Sequence, residues 1–411
     1  MPKPPLLYLV HRIPYPPNKG DKIRSFHLLK HLSERFDVYL GTFVDDPDDW
    51  QHCAAVRRYC ADARFVERRP RWHKVLAAKG LLSGDALSVS YYQSNAMQCW
   101  VDEIVARNKV EKAVLFCSPM GQFVFPKTQA GACLTGIYMD FVDLDSEKWR
   151  QYAEPRHGLS KWIYSREAKR LFATERAVCE FANKAYFVSS PEAELFKLRA
   201  PAFTHKIDWF GNGVDADYFR PDASLPNPYS QDAQALVFTG AMDYWPNIDA
   251  VCWFAAEVWP SLKRCHPSLE FWIVGGKPSA EVLSLRGKAG IHVTGRVPDV
   301  RPYLQHALAA IAPMRVARGV QNKVLEAMAM HKPVLASAEG LTGIENYDSV
   351  HSHTLETTDE WLALVTDLVA RVKVDANDQT LKPSQLEVSP AANPSWERSL
   401  APILDALEHK V

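Results

Sequence analysis

The chain has 411 residues, of which 47% are hydrophobic and 11% aromatic, and its formal net charge is zero. This length favours two domains of roughly 200 residues each, and the apolar content excludes a disordered chain. Residues 1–200 nevertheless carry 30 Lys and Arg against 23 Asp and Glu, whereas residues 201–411 carry 18 against 25. The first half is therefore expected to face a phosphorylated ligand, a membrane surface or nucleic acid, unless its charges are simply solvated.

The cysteines and the N-terminus indicate the compartment. The eight cysteines form no CxxC pair, and several lie in apolar runs, which favours a reducing environment. The apolar run 6–10 is too short for a signal peptide or a membrane span, and no run of about 18 apolar residues occurs elsewhere. The sequence predicts a soluble or peripheral protein.

Short apolar runs alternate with helical patterns in the first half. Apolar residues three and four apart predict helices over 23–36 and 161–184. The runs that predict buried strands are 6–10, 37–44, 63–66, 113–118, 134–140 and 184–190. Such alternation predicts an α/β domain with a parallel sheet covered on both faces.

The second half repeats this scheme. Its predicted strands are 236–242, 270–276, 291–297, 308–313 and 333–337, each followed by a helical stretch. The sequence therefore predicts two Rossmann-like, doubly wound domains, with a Pro-, Asn-, Asp- and Gly-rich linker between them. Residues 373–394 are polar and predict a loop, and 395–410 predict a last amphipathic helix. The predicted division is an N-terminal domain 1–210, a linker 211–230, a C-terminal domain 231–392 and a C-terminal segment 393–411.

The loop after the first strand could bind phosphate. It places Gly20 beside Lys19, Lys22 and Arg24, where a helix begins, so backbone amides and cations could approach a phosphate together. The loop lacks the GxGxxG pattern of nicotinamide and flavin dinucleotide sites. An ordinary proline-punctuated turn is the alternative.

The loop after the strand 134–140 concentrates carboxylates. Asp143-Leu-Asp145 has the DxD form that some sugar transferases use to hold a metal-bound diphosphate, although a single DxD is a weak signal. We predict that Asp140 acts at the acceptor, that Asp143 and Arg12 help to bind the acceptor, and that no metal is bound. Helix capping is the alternative role for these carboxylates.

The stretch 318–337 gives the strongest prediction. It places Lys323 in the first turn of a helix, where the helix dipole disfavours a cation by a few tenths to about 1 kcal/mol. A diphosphate at the helix start would reverse that cost, because the free amides, Arg315, Arg318 and Lys323 would all bind it. Glu326 could then accept hydrogen bonds from ribose hydroxyls. The residues predicted to line the same helix start are Gly319, Val320 and Asn322. A solvated surface pair of Lys323 and Glu326 is the alternative.

These residues resemble the GT-B glycosyltransferases, and specifically the large retaining family 4. The run from Glu326 to Ser337 resembles the helix and strand turn of that family, and 212–221 resembles its linker motif. Residues 292–304 resemble its G-x-V-x-D segment, and the Trp396 helix resembles the one that crosses back to the first domain. The resemblance implies two domains facing across a cleft.

The amino-acid sequences of three segments resemble more closely a bacterial subgroup, the sugar transferases of exosortase (PEP-CTERM) exopolysaccharide systems. These segments are 14–24, 138–149 and 317–329. The resemblance implies a cytoplasmic enzyme that can lie at the inner face of the bacterial cytoplasmic membrane. The segment 64–82 carries six Lys and Arg against one Glu among apolar residues. It suits an anionic bilayer or a polyprenyl-diphosphate saccharide, or else a solvated basic helix.

One position and one segment depart from the family pattern. Position 318 is Arg where the family has its first Glu, and 240–251 replaces the segment whose basic pair holds the diphosphate. The residues expected to contact the donor instead are Gly240, Asp243, Asn247, Gly275 and Arg296, with the cations named above.

The resemblance implies transfer of a sugar from a UDP- or GDP-sugar to a hydroxyl acceptor, with retention of configuration. No cofactor, metal or nucleic acid is expected, because cations and helix amides can stabilise the departing diphosphate. A UDP-sugar epimerase would use the same nucleotide site but needs flanking acid and base carboxylates. A catalytically silent sugar-nucleotide-binding protein would bind donor without turnover, and a Rossmann oxidoreductase would need the absent GxGxxG.

Overall fold

The computed structural model describes residues 2–17, 20–68, 84–231, 233–316, 320–344, 352–377 and 395–408. The chain forms two compact units, one of Met1–Gly211 with Ser399–Val411, and one of Asn212–Arg398. Each unit contains a parallel sheet with helices between its strands, which confirms the predicted α/β class. Within the described ranges, no helix combines the length and the apolar character needed to cross a membrane.

The first unit is built on a seven-stranded sheet. Its strands are β1 (Pro5–Val10), β2 (Asp37–Val44), β3 (Asp62–Glu67), β4 (Lys112–Phe116), β5 (Gly136–Val142), β6 (Lys184–Phe187) and β7 (Ile207–Trp209). They are ordered β3-β2-β1-β4-β5-β6-β7, and every neighbouring pair is parallel. The central strands are buried on both faces, which explains why they read as continuous apolar runs.

Helices connect these strands. They are α1 (Gly20–Arg35), α2 (Cys53–Arg57), α3 (Leu87–Tyr91), α4 (Asn95–Asn108), α5 (Gln129–Cys133), α6 (Asp145–Ala153), α7 (Gly158–Phe181) and α8 (Ser190–Arg199). Short 3-10 helices cover Pro47–His52, Ser118–Val124 and Pro201–Lys206.

The second unit is built on a six-stranded sheet. Its strands are β8 (Gln234–Thr239), β9 (Leu269–Val274), β10 (Ile291–Gly295), β11 (Ala309–Ala312), β12 (Val334–Ala336) and β13 (Ser352–Thr354). They are ordered β10-β9-β8-β11-β12-β13 and are again parallel. The helices are α9 (Trp245–Trp253), α10 (Trp259–Cys265), α11 (Ala280–Leu283), α12 (Arg301–His306), α13 (Asn322–Ala329) and α14 (Thr358–Asn377). A π-helix, Phe254–Val258, joins α9 to α10, and Glu339–Leu341 is a 3-10 turn.

The last helix, α15 (Trp396–Glu408), returns to the first unit. The Tyr138 hydroxyl donates to the carbonyl of Ala406 at 2.8 Å, and the Tyr186 hydroxyl donates to the carbonyl of Pro402 at 3.1 Å. The apolar side of α15 is fully buried, including Leu404. The predicted return of the C-terminal helix is therefore observed. The predicted polar loop 373–394 is wrong over 373–377, which belong to α14, and its residues 378–394 lie outside the described ranges.

Strand order reverses once in each sheet, between β1 and β4 in the first unit and between β8 and β11 in the second. Open parallel sheets bind ligands outside the carboxyl ends of the strands at such a reversal. The loops after β1, β8 and β11, together with the helices that follow them, contain most of the residues that the sequence nominates.

Candidate functional site

Glycines bring the backbone of the loops after β8 and β9 into close contact. A Cβ atom added at Gly275 would lie 1.7 Å from the carbonyl oxygen of Gly240. Gly240 itself has a φ of +154° and donates its N–H to the carbonyl of Val274 at 3.0 Å. Both predicted glycines are thus required by the geometry, because a side chain at either position would separate the two loops.

Asn247, near the start of α9, links the β8 loop to helix α13. Its side chain is buried, and its Nδ2 donates to the carbonyl of Ala241 at 2.9 Å. Its Oδ1 accepts a hydrogen bond from the Nζ of Lys323 at 2.6 Å. A Cβ atom at Gly240 would lie 2.8 Å from that Nδ2 and 3.5 Å from the Cε of Lys323. Three predicted residues therefore contact one another, namely Gly240, Asn247 and Lys323.

Lys323 is the second residue of α13, as predicted, and its ammonium group points toward the reversal between β8 and β11. It lies 4.2 Å from the centroid of the Phe238 ring and 3.8 Å from the Sδ of Met314, at the ends of those two strands. The residue before the helix, Gln321, does not cap the first turn with its side chain. First-turn amides and an ammonium group thus meet at one helix start, which is the arrangement that binds anions.

The protein does not fully compensate the buried charges of Lys323 and Glu326. Burial lowers the pKa of Lys323 to about 7, and the negative charge of Glu326 opposes that shift. Burial likewise raises the pKa of Glu326 to about 7, against the opposing charge of Lys323. Each group is therefore destabilised in its charged form, because the protein supplies too few counter-charges and hydrogen bonds.

Glu326 lies one turn further along α13 and is half-buried. Its carboxylate accepts no hydrogen bond from any residue within the described ranges. A half-buried carboxylate with unused acceptor capacity can receive hydroxyl donors from a ligand. This placement agrees with the predicted role of Glu326 toward ribose hydroxyls, which stays a prediction.

Arg315 follows β11 but already has a partner. Its Nε donates to one carboxylate oxygen of Asp249 at 3.0 Å, and its Nη2 donates to the other. The hydrogen bonds and charge of Asp249 raise the pKa of Arg315. Arg315 lies at the predicted strand end, but its charge is balanced there by Asp249 on α9.

The other residues predicted to bind the donor lie further from Lys323 or have other partners. Asn322 accepts a hydrogen bond from the Nδ2 of Asn212 at 2.8 Å, which ties the start of α13 to the start of the second unit. Arg296 is exposed after β10, and its Cβ lies 3.6 Å from a Cβ placed on Gly276. The remaining predicted residues are the exposed Asp243, the half-buried Val320, and Arg318 and Gly319, which lie outside the described ranges.

In the first unit, Arg24 and Asp140 form an ion pair that is completely enclosed. Arg24 donates through Nε and Nη2 to the two carboxylate oxygens of Asp140, at 2.8 and 3.0 Å, and both side chains have 0% exposure. The guanidinium group also donates to the carbonyl of Phe210 and stacks 3.9 Å from its ring. Burial raises the pKa of Asp140, while Arg24 opposes the shift. The pair fastens β5 and α1 to the end of the first unit, so this geometry does not support the predicted contact of either residue with substrate.

The other polar residues predicted in the first unit are also paired. Arg12 donates to Asp21 at 2.7 Å and to Asp45 at 3.1 Å. Asp143 accepts a hydrogen bond from Lys148 at 2.6 Å, and the same ammonium group donates to Asp145 at 3.1 Å. One lysine therefore balances both carboxylates of the DxD sequence.

Gly20 begins α1 and is exposed, Lys22 is buried against Asp49 at 2.7 Å, and Lys19 lies outside the described ranges. Across the described parts of the chain, no group of three or more His, Cys, Asp or Glu side chains could hold a metal ion. The candidate site is therefore the one in the second unit, at the reversal between β8 and β11.

The sequence did not nominate four residues that shape this site. Phe238 and Met314 contact the ammonium group of Lys323, Asp249 pairs with Arg315, and Asn212 bonds Asn322. The available signal for Asp249 was its place near the start of α9, the helix that follows β8 and contains Asn247. The contacts of Phe238 and Met314 depend on strand pairing, which local sequence patterns do not reveal.

A family model matches the part of the chain that contains this site. Residues 233–369 match the family model described as Glycosyl transferases group 1. This range includes β8, β11 and α13, and therefore the whole cluster around Lys323. The second unit is a glycosyltransferase domain. No curated protein sequence matches the chain.

Several solved structures share the fold. Sucrose-phosphate synthase from Thermosynechococcus elongatus is 16% identical with a TM-score of 0.61, over 97% of this chain and 92% of the synthase. HepE from Anabaena, solved with UDP and glucose, is 11% identical with a TM-score of 0.63, over 98% and 99% of the two chains. A putative UDP-N-acetylglucosamine 2-epimerase from Listeria monocytogenes is 13% identical with a TM-score of 0.53, over 99% and 96%. These similarities confirm the predicted GT-B fold.

Proposed function

We propose that the chain transfers a sugar from a nucleoside-diphosphate sugar, a UDP- or GDP-sugar, to a hydroxyl acceptor, and that the second unit holds the donor. The observation that carries this proposal is the position of Lys323. A cation with a pKa of about 7 sits at the start of α13, beside the glycine loops after β8 and β9. A diphosphate placed there would provide the negative charge that this helix start and this ammonium group both lack.

Departure of the diphosphate is the demanding step in such a transfer. Lys323 and the amides of the first turn of α13 would stabilise the negative charge that grows on the leaving phosphate oxygen. The carboxylate of Glu326 would accept hydrogen bonds from the ribose and fix the orientation of the donor. Because these groups supply the required charge, the proposal includes no metal ion.

The finer assignments are also proposals. The resemblance of 326–337 to the retaining family 4 supports retention of configuration, and the wording of 138–149 and 317–329 supports an exopolysaccharide system. The excess of positive charge in residues 1–200 supports an anionic, lipid-linked saccharide acceptor at the inner face of the bacterial cytoplasmic membrane. HepE was solved with UDP and glucose, which supports testing uridine donors first.

A thermal-shift panel of UDP-, GDP-, ADP- and TDP-sugars tests the donor proposal with the full chain. One nucleotide class should raise the melting temperature at millimolar concentration, and the corresponding free monosaccharide should not. A panel in which no nucleotide sugar shifts the melting temperature would contradict the proposal. Transfer or hydrolysis of a labelled form of the binding donor then separates an enzyme from a silent binding protein.

A further inference from the structure

The outer side of helix α7 carries apolar and cationic residues in one stripe. The α7 face, as we define it, consists of the exposed residues Leu159, Trp162, Lys169, Arg170 and Arg176. Leu159 and Trp162 are 73% and 56% exposed, the highest values among the large hydrophobic residues of this helix. Their spacing places all five on the side of the helix opposite the buried Leu171 and Val178. The face extends for about 25 Å along the helix axis.

The charge of this face is one-sided because the helix turns its central carboxylates inward. Glu167 is fully buried and accepts hydrogen bonds from the backbone N–H groups of Leu87 and Ser88 at 2.6 and 2.8 Å. Glu175 is also fully buried and accepts from the N–H of Ser146 at 3.0 Å and from its hydroxyl at 2.6 Å. Both carboxylates therefore cap the first turns of other helices, α3 and α6. The one further acidic residue of α7, the exposed Glu180, lies in its last turn, beyond the cations of the face.

The cations of the face lack partners of their own. Lys169, Arg170 and Arg176 are exposed, and none of them forms an ion pair or a side-chain hydrogen bond with a residue that the structure describes. Arg166 lies on the same side of the helix but is half-buried, and it donates to the carbonyl of Asp85 at 3.1 Å. Three unpaired cations on one stripe attract an anionic surface, and they would repel one another less once such a surface covers them.

We propose that the α7 face docks the protein on an anionic lipid bilayer. Trp is the side chain that favours the interface between headgroups and acyl chains, and Leu159 beside it adds apolar area that can enter that layer. Lys169, Arg170 and Arg176 would contact the lipid phosphates along the same line. Exposed apolar residues next to unpaired cations favour a bilayer over nucleic acid, which would use the cations but leave Leu159 without an apolar contact. This inference concerns the first unit and does not depend on the proposed donor site.

Vesicle flotation with the full chain tests the proposal. The probe vesicles contain phosphatidylcholine with about one-third phosphatidylglycerol, and pure phosphatidylcholine vesicles serve as the reference. We expect binding only to the anionic vesicles. The double variant Lys169→Ala, Arg176→Ala should weaken binding about fivefold for each cation removed. The double variant Leu159→Ala, Trp162→Ala should weaken it roughly tenfold through the lost apolar burial.

Matched variants elsewhere in the first unit control for charge and for aromatic content. Arg58→Ala with Arg107→Ala removes two exposed cations, one in the turn after α2 and one on α4 where it pairs with Glu103 at 3.9 Å, and Trp50→Ala removes a tryptophan that is 42% exposed. Both should bind anionic vesicles like the unaltered protein, and thermal melting should show every variant to be folded. The proposal is overturned if the unaltered protein ignores anionic vesicles, if the α7 variants bind as well as the controls, or if an oligonucleotide binds this face and vesicles do not.

Discussion

Replacing Lys323 with Met should weaken donor binding strongly while preserving the fold. Methionine keeps most of the volume of the lysine stem near Phe238 and Met314 but removes the ammonium group. A hydrogen bond to a charged group contributes about 1.5–3 kcal/mol, so the affinity for a nucleotide sugar should fall roughly 10- to 150-fold. The substitution removes a half-buried cation from the positive end of α13 but also the donor to the buried Oδ1 of Asn247, so the two effects on stability oppose each other and the fold should be retained.

Isothermal titration at pH 7 measures this loss, with the donor that the thermal-shift panel identifies. Lys332→Met is the matched control, because Lys332 follows the same helix and burial also lowers its pKa, to about 8. Its Nζ donates to the carbonyl of Ala307 at 3.2 Å, before β11 rather than after it. The control should bind donor normally. Unchanged affinity in Lys323→Met, or an equal loss in both variants, would refute the role of Lys323.

Three further predictions follow from the same contacts. Through Lys323, donor affinity should fall about twofold between pH 6 and 7 and roughly fivefold between pH 7 and 8, because the diphosphate binds the protonated form of Lys323, whose pKa is about 7 in the free protein; titration should show no such dependence in Lys323→Met. Glu326→Gln should weaken nucleotide-sugar binding about tenfold but leave the affinity for inorganic pyrophosphate unchanged, since pyrophosphate has no ribose; an equal loss for both ligands in calorimetry would disprove the ribose contact. Arg24→Met and Asp140→Leu should each destabilise the first unit by about 3–5 kcal/mol in urea unfolding, because each leaves a buried charge without its partner. The double variant should recover much of that loss, and simple addition of the two effects would show that the pair is not coupled.

The sequence predicted elements whose local pattern decides their structure. The apolar runs 6–10 and 37–44 became β1 and β2, because a strand buried on both faces needs a continuous apolar sequence. The helix that places Lys323 in its first turn was predicted correctly, since a strand end precedes it and Pro333 follows it. By contrast, β7 contains only three residues and has no pattern long enough to detect.

The sequence could not predict which charged residues pair with one another. Arg24 and Asp140 are 116 residues apart, and only the parallel neighbours β1, β4 and β5 bring them together. Asn247 and Lys323 were both predicted to bind donor, but their mutual hydrogen bond joins positions 76 residues apart. The sequence pattern therefore identified the charged residues at strand ends. The order of the strands in the sheet decides which of these charges remain available for a ligand.

Backbone hydrogen exchange with and without saturating nucleotide sugar tests the central claim most directly, because it locates the donor without altering the protein. We predict that the donor slows exchange in peptides that cover 239–247 and 320–329, where the β8 loop, Asn247 and the start of α13 meet. Peptides of the β1 loop, 11–17, should change less. Protection confined to the first unit, or absent from 320–329 when the donor is demonstrably bound, would contradict the account.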